Sequence, residues 1–269
     1  MRNMSQLAKD IFKYGRVKDC PVYDMHGHMG SHYGIHFPTK SAEKTVKSMQ
    51  AANVQKLIFS HHGSLMMRDG NSLSLKEARK FPGLLKVYCT INPNFPEVTE
   101  KDLAAFDEAR DVYVGIKLLA AYHKKPITDD GYKKAWEFAN KRKLFALVHT
   151  WGDNNMNGPE QIDEVARKYP DCKIFMGHSC HGEWDKAVLL ANKYKNVYLE
   201  LTAVPDERGP MEKFIEKAGS KKILFGTDMP WFSYHNYIGA VLGAVRKEED
   251  LRNIFYLNAK KLLGEIGQL

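Results

Sequence analysis

Short apolar runs rich in β-branched and aromatic residues recur along the chain at Val22–Met25, Lys56–Ser60, Leu85–Ile91, Val112–Leu118, Leu144–His149, Lys173–Gly177, Val197–Leu201 and Ile223–Gly226. Each has the length of a strand, and near-continuous apolar character is what a parallel strand covered on both faces requires. The stretches between them carry helix signals. Tyr132, Ala135, Trp136 and Ala139 fall at helical spacing, and Val188, Leu189 and Ala191 do so less cleanly. Ser74 with Glu77, and Thr99 with Asp102, have the spacing of capping boxes, and Pro159 after Gly158 suits a first helical position. Helices are predicted over 40–53, 129–143 and 182–195 among others. Regular alternation of strand and helix predicts an α/β fold with a parallel sheet. Eight such units suit a (β/α)8 barrel, and a doubly wound open sheet is the alternative. No G-x-G-x-x-G or Walker-type loop follows any strand, which weighs against the open sheet. With no repeat, low-complexity tract or linker, residues 1–269 are expected to form one barrel domain. Residues 1–20 are expected to be a helical extension over its bottom or side, and Glu248 to Leu263 its last outer helix.

Composition narrows the class. Hydrophobic residues are 43% and charged residues 27% of the 269, ordinary for a chain that buries a large core. No apolar stretch approaches the roughly 18 residues that cross a bilayer, so no membrane role is expected. The first ten residues lack a signal peptide's apolar core. Cys20, Cys89, Cys172 and Cys180 form no C-x-x-C pair, which reads as reduced thiols in a cytoplasmic protein. The formal charge of +8 could steer an anion. Yet the basic residues are scattered over predicted helices, with no basic run longer than two or three and no interleaved aromatics, so a solvated surface is expected and not a nucleic-acid groove.

In a barrel of this kind the site lies at the C-terminal ends of the strands. The first run leads into His26-Gly27-His28, whose alternate side chains can face one point. The following ends carry Ser60-His61-His62, Asn92, Lys117, His149, His178, Glu200 and Asp228. Imidazoles and a carboxylate at adjacent strand ends are the donors of a metal-dependent hydrolase. Glu200 is read either as a partner orienting a ligand histidine or as an outward residue. His61 and His62 are surplus and read as loop histidines, although one of them lining the pocket is an open alternative. His181 is discounted as a ligand, and Cys180 as a free thiol. Trp151 and Trp231, two and three residues after His149 and Asp228, are expected to wall the substrate pocket, with packing as the alternative. The loops 29–40, 61–72, 119–128 and 151–158 would select the substrate, with His32, Tyr33, His36, Tyr122 and His123 as polar aromatic contacts.

His26-x-His28, His149, His178 and Asp228, in that strand order, resemble the amidohydrolase superfamily. Gly115-Ile116-Lys117-Leu118, Phe225-Gly226-Thr227-Asp228-Met229-Pro230-Trp231 and Asn258-Ala259-Lys260-Lys261-Leu262-Leu263-Gly264 resemble its amidohydrolase-related branch. That branch includes aminocarboxymuconate semialdehyde decarboxylase-like enzymes, resorcylate-type decarboxylases and several lactonases. The resemblance runs from about Tyr23 to Gly264. It implies an amidohydrolase-like TIM barrel with one divalent metal held by His26, His28, His149 and Asp228. Zinc is the first choice, with manganese or iron as alternatives. It also implies His178 as a nearby acid or base and Asp228 as the proton acceptor. In binuclear members a carboxylated lysine at the fourth strand bridges two metals. The alternative, favoured here by the other motifs, is a free Lys117 that pairs with a substrate carboxylate.

The expected activity is therefore hydrolysis of a small ester, lactone or amide, with a metal-activated water as nucleophile. Its rival on the same scaffold is non-oxidative decarboxylation of a small unsaturated or aromatic acid, with Lys117 or Arg68 as the cation for the carboxylate. A basic binding protein without catalysis is the reading from another class. The expected partner is a small molecule, and a homodimer is what the resembled family implies.

Overall fold

The computed structural model describes residues 4–66 and 70–269, so Arg68 lies outside the described residues. Eight parallel strands follow one another in sequence order around one sheet. They are β1 (Val22–Met29), β2 (Val54–His61), β3 (Leu85–Ile91), β4 (Tyr113–Leu118), β5 (Phe145–Trp151), β6 (Lys173–His181), β7 (Val197–Glu200) and β8 (Ile223–Leu224). The eighth strand turns back on the first. Met25 N–H donates to the Phe225 carbonyl at 2.9 Å, Asp228 N–H donates to the His26 carbonyl at 2.8 Å, and Gly27 bridges Met229. The chain is thus the expected (β/α)8 barrel, with all eight apolar runs as strands. β1 and β6 run past their predicted ends and carry His26, His28 and His178 within the strands themselves.

Two apolar layers divide the core. The outer and larger one lies between sheet and helices. The inner one gathers Met25, Ile58, Tyr88, Val114, Phe145, Leu147, Phe175 and Leu224 from the strands. Ala259, Leu262 and Leu263 of the helix Asn258–Glu265 join this inner layer. The stretch from Glu248 is therefore not one outer helix. It breaks into a short helix, Glu248–Arg252, a π turn, Asn253–Leu257, and a final helix that packs under the barrel. The N-terminal helix, Gln6–Tyr14, lies on the barrel's side against Tyr234–Ala244. A groove of about 590 Å³ runs along this pair, away from the strand ends.

Two predicted helix starts are corrected. Ser74 lies inside the helix Asn71–Ala78, where its hydroxyl accepts from His61 N–H at 3.1 Å. Thr99 lies inside Pro96–Ala104, because Pro96 with its preset φ opens that helix. The helices Ala42–Ala52, Asp130–Lys141, Pro159–Lys168 and Trp184–Lys193 fall within one to two residues of expectation. No helix among the described residues is long and apolar enough to cross a membrane.

The floor helix contributes mainly through burial. Replacing Leu262, which is 2% exposed, by Ala should cost about 2–5 kcal/mol of unfolding free energy. Denaturant titration measures that loss, and metal content at the far end of the barrel should be unchanged.

Candidate metal centre

His26 is placed by polar contacts on every side. Its N–H donates to Asp24 Oδ1 at 3.0 Å, and its Nδ1 lies 3.0 Å from Glu200 Oε2. A carboxylate only accepts, so Nδ1 carries the proton and Nε2 keeps its lone pair. His28 follows the same logic. Its Nδ1 lies 3.3 Å from the Ser60 carbonyl, an acceptor, which leaves Nε2 unprotonated. Both Nε2 atoms meet Asp228 Oδ1, at 3.4 Å from His26 and 2.8 Å from His28. These three ligand atoms all lie within 4.8 Å of one another.

Three lone pairs now converge, and of these only that of His26 faces a donor, Lys117 Nζ at 2.8 Å. Oδ1 of Asp228 is buried and has no hydrogen-bond donor, because its 2.8 Å contact with His28 is acceptor to acceptor in this tautomer. Such a group needs a cation. Two neutral imidazoles and one carboxylate form the donor set of a divalent ion with open positions, so the residues present fit the group. Burial pushes the His26 imidazole well below its usual range, and the Lys117 charge adds to this. Burial alone would raise the Asp228 carboxyl, but the surrounding imidazoles of His26, His28 and His178 outweigh it and hold it well below the carboxylate range.

Asp228 stands in the left-handed region at φ 58°, a conformation Asp tolerates better than most residues. Thr227 fixes the turn. Its Oγ1–H donates to Asp24 Oδ2 at 2.6 Å and its oxygen accepts Met229 N–H at 3.1 Å.

Glu200 is the carboxylate behind His26. Besides the His26 Nδ1–H, it accepts His178 N–H at 3.1 Å, Thr202 N–H at 2.8 Å and the Thr202 hydroxyl at 2.6 Å. Burial pushes its carboxyl up to about 7, against these hydrogen bonds. Four donors and no acceptor surround it, so the cage holds the ionised form. A Cβ on Gly226 would lie 1.9 Å from Glu200 Oε1, so glycine is required there for the carboxylate to approach. Of the two alternatives for Glu200, the inward one is observed.

His178, Ser179 and Cys180 are three successive left-handed residues, with φ 69°, 48° and 51°. Strain of this kind costs on the order of 1–3 kcal/mol per residue and persists only when braced. Thr150 and Ser179 supply the braces. The Thr150 hydroxyl donates to the Gly177 carbonyl at 2.6 Å and accepts Cys180 N–H at 2.8 Å. Ser179 Oγ–H donates to the Glu200 carbonyl at 2.8 Å and accepts Glu200 N–H at 2.9 Å. His178 Nε2 thereby reaches His149 Nδ1 at 3.0 Å, while its Nδ1 stays buried without a partner. Burial lowers the His178 imidazole to about 3 and takes His149 well below its usual range. His149, expected as a fourth ligand, stands outside the group of three and is paired with His178.

Lys117 is fully buried, with Nζ 2.8 Å from His26 Nε2. Burial lowers its ammonium to about 8, against the pull of Asp228 and Glu200. It lines a cleft of about 60 Å³ that combines polar His28, His149 and Asp228 with apolar Leu65, Leu119 and Trp231. Loops 29–40, 61–72 and 119–128 all reach this cleft, and 151–158 does not. Trp151 is corrected accordingly. It does not line the cleft but stacks on His181 at 4.3 Å, packing outside His149 and His178.

The polar aromatics of those loops divide. His32 and Tyr122 line the cleft, Tyr33 is 96% exposed, and His36 is exposed. His123 is buried between Tyr132 and the Leu65 carbonyl, at 2.8 and 2.7 Å, as a structural residue. His62 is a further correction, buried in the cleft wall and not in an exposed loop. Its Nδ1 faces the Gly30 carbonyl at 3.0 Å and its Nε2 accepts Trp231 Nε1–H at 3.1 Å. Position at the end of an apolar strand run was the signal that could have found it. All four cysteines are free and buried.

The caging of Glu200 has a measurable consequence. Glu200→Gln places an amide against two donors, and Gly226→Ala displaces the carboxylate sterically. Each should weaken metal binding about 10–100-fold in chelator competition, with His26→Ala as the limiting loss. His149→Ala should retain stoichiometric metal.

The amidohydrolase family model matches residues 23–264. No curated protein matches the chain in sequence. Among solved structures, an uncharacterised TIM-barrel protein of Bordetella bronchiseptica aligns with TM-score 0.77 and 18% identity, covering 92% of this chain and 99% of that one. A dihydroxybenzoic acid decarboxylase of Polaromonas sp. JS666, with manganese and the inhibitor 2-nitroresorcinol bound, aligns with TM-score 0.73 and 15% identity over 93% and 99%. A probable 2-pyrone-4,6-dicarboxylic acid hydrolase of Acinetobacter baumannii, with citric acid bound, aligns with TM-score 0.68 and 14% identity over 90% and 99%. At these identities the likeness carries the fold.

Proposed function

The chain belongs to the amidohydrolase family of enzymes, and from that premise we propose that it is a metal-dependent hydrolase of a small ester, lactone or amide. The observation that carries this reading is the Asp228 carboxylate, held ionised with its bare Oδ1 against the two Nε2 lone pairs of His26 and His28. In this reading those three residues hold one divalent ion, zinc first, with manganese or iron as alternatives. The ion supplies Lewis acidity and lowers the pKa of coordinated water. Asp228 accepts the proton of the attacking water as the water oxygen bonds to the substrate carbonyl carbon. The acyl bond to the leaving oxygen or nitrogen then breaks, and the proton taken up by Asp228 is relayed through the His149–His178 pair to that atom. Leu65, Leu119 and Trp231 keep bulk water from the cleft floor.

A second reading is favoured by Lys117. A buried ammonium at the cleft floor, under flat aromatic walls, suits a planar acid whose carboxylate pairs with it. The Polaromonas relative in fold acts on such an acid. In non-oxidative decarboxylation the bond from ring carbon to carboxylate breaks and carbon dioxide leaves. The electron pair stays on the carbon, which takes up a proton. Lys117, at about 8, carries one at neutral pH.

Product analysis separates the two. Protein loaded with zinc or manganese is incubated with lactones, aryl esters and hydroxybenzoates, and the products are identified by chromatography. Ring-opened or cleaved acids are expected, with the rate falling about 10²–10⁴-fold in Asp228→Asn. Release of carbon dioxide without any hydrolysis would overturn the first reading in favour of the second.

For any carboxylate substrate, KM should be lowest while Lys117 is charged and should rise as pH passes about 8. Lys117→Met should remove that limb and raise KM about tenfold or more at pH 7, the worth of a charge-assisted hydrogen bond.

A further inference from the structure

Two histidines of the group of three are held differently. His26 has a carboxylate on Nδ1 at 3.0 Å and its backbone N–H on Asp24. His28 has its backbone N–H on the Met229 carbonyl, but apart from its approach to Asp228 its ring has a single polar contact, a long one of 3.3 Å from Nδ1 to a carbonyl. A bond of that length orients a ring weakly. What confines His28 is a face. His62 lies parallel to it, with ring centroids 4.8 Å apart and planes 14° from parallel. Phe37 lies on the other face of His62, at 5.4 Å and 12°. The middle ring cannot turn, because the Gly30 carbonyl and the Trp231 indole N–H occupy both of its nitrogens. With both nitrogens engaged, His62 is no ligand itself despite its place in the cleft wall.

We propose that His62 is a positioning residue for His28: clamped between Phe37 and His28 and pinned by Trp231, it sets the direction of the His28 Nε2 lone pair. The proposal rests on the reading of His28 as a metal ligand. It also gives Phe37, on the loop that follows β1, a mechanical link to the ligand set. The same link runs through Trp231 to the turn that carries Asp228.

The test is metal affinity of the apo protein, measured by competition with a chromophoric chelator for zinc and for manganese. His62→Ala removes the stacking face and should weaken binding about tenfold or more, within the range for residues that orient ligands. His62→Phe restores the face without the hydrogen bonds and should recover most of that loss. A general loosening of the fold would lower the melting temperature of the apo protein in both variants and would not be rescued in affinity by Phe. Wild-type affinity in His62→Ala, or equal losses in Ala and Phe, would overturn the proposal. If His62→Ala does not fold, Phe37→Ala carries the test by removing only the outer ring: weakened binding supports the clamp and unchanged binding overturns it. His28→Ala separates the two readings. Metal lost there but retained in His62→Ala would sink the clamp alone, and metal retained in both would sink the ligand assignment as well.

Discussion

One buried carboxylate sets the geometry of the strand ends. Glu200, on β7, accepts from His26 on β1, from the backbone of His178 on β6 and twice from Thr202, so three separate segments are held to one group. The contact with His26 decides which nitrogen keeps its lone pair, and hence whether the strand end can serve a metal at all. The contact with His178 anchors the first of three left-handed residues, which no strand would adopt unbraced. The opening opposite Gly226 is what lets the carboxylate sit so deep. A negative group so enclosed is costly unless cations answer it. Lys117, and the cation that the three ligand atoms call for, are the available answers.

The fold was readable because each strand announces itself by apolar content, and strand order fixes the barrel. Most strand-end residues followed, since any residue closing an apolar run must face the same end. His26, His28, Lys117, His149, His178 and Asp228 all come together there. Three-dimensional placement beyond the strand was harder to read. That His149 pairs with His178 and stands apart from the other ligand atoms depends on a left-handed backbone at His178, which leaves no periodic trace. Trp151 and Trp231 follow a site residue by two and three positions. One packs outward on His181 and the other donates to His62, because the turns after β5 and β8 differ. His62 and Glu200 act through other side chains, and partners 169 and 174 residues away are invisible to local spacing. The misplaced starts at Ser74 and Thr99 have a plainer cause: a hydroxyl three residues before an acid also occurs inside helices, where it bonds to a neighbouring element.

The barrel separates stability from chemistry along its axis. Below lies an apolar plug of strand side chains closed by Ala259, Leu262 and Leu263, in which the Tyr88 hydroxyl is satisfied by the Met25 carbonyl at 2.9 Å. Above lies a polar layer whose buried atoms without a partner include His178 Nδ1 and Asp228 Oδ1 of the candidate site. Polar atoms left bare under burial are tolerated where something else completes them. The narrowness of the cleft follows from the same layering, since the aromatic rings that shield the polar layer also occupy the space above it.

The contact between Asp24 and Thr227 spans 203 residues of sequence and joins the first strand to the turn after the last. During synthesis β1 therefore leaves the ribosome long before the segment that completes it. Through that interval Met25 and the strand's other apolar side chains have neither their inner layer nor the far edge of the barrel to cover them. Closing a loop of that length is slow, because entropy is lost before the long-range contacts form. The nascent chain thus carries an open, apolar sheet edge for most of its translation. Unpaired strand edges of that kind are the aggregation-prone feature of an unfinished barrel, and here they persist until the last strand arrives.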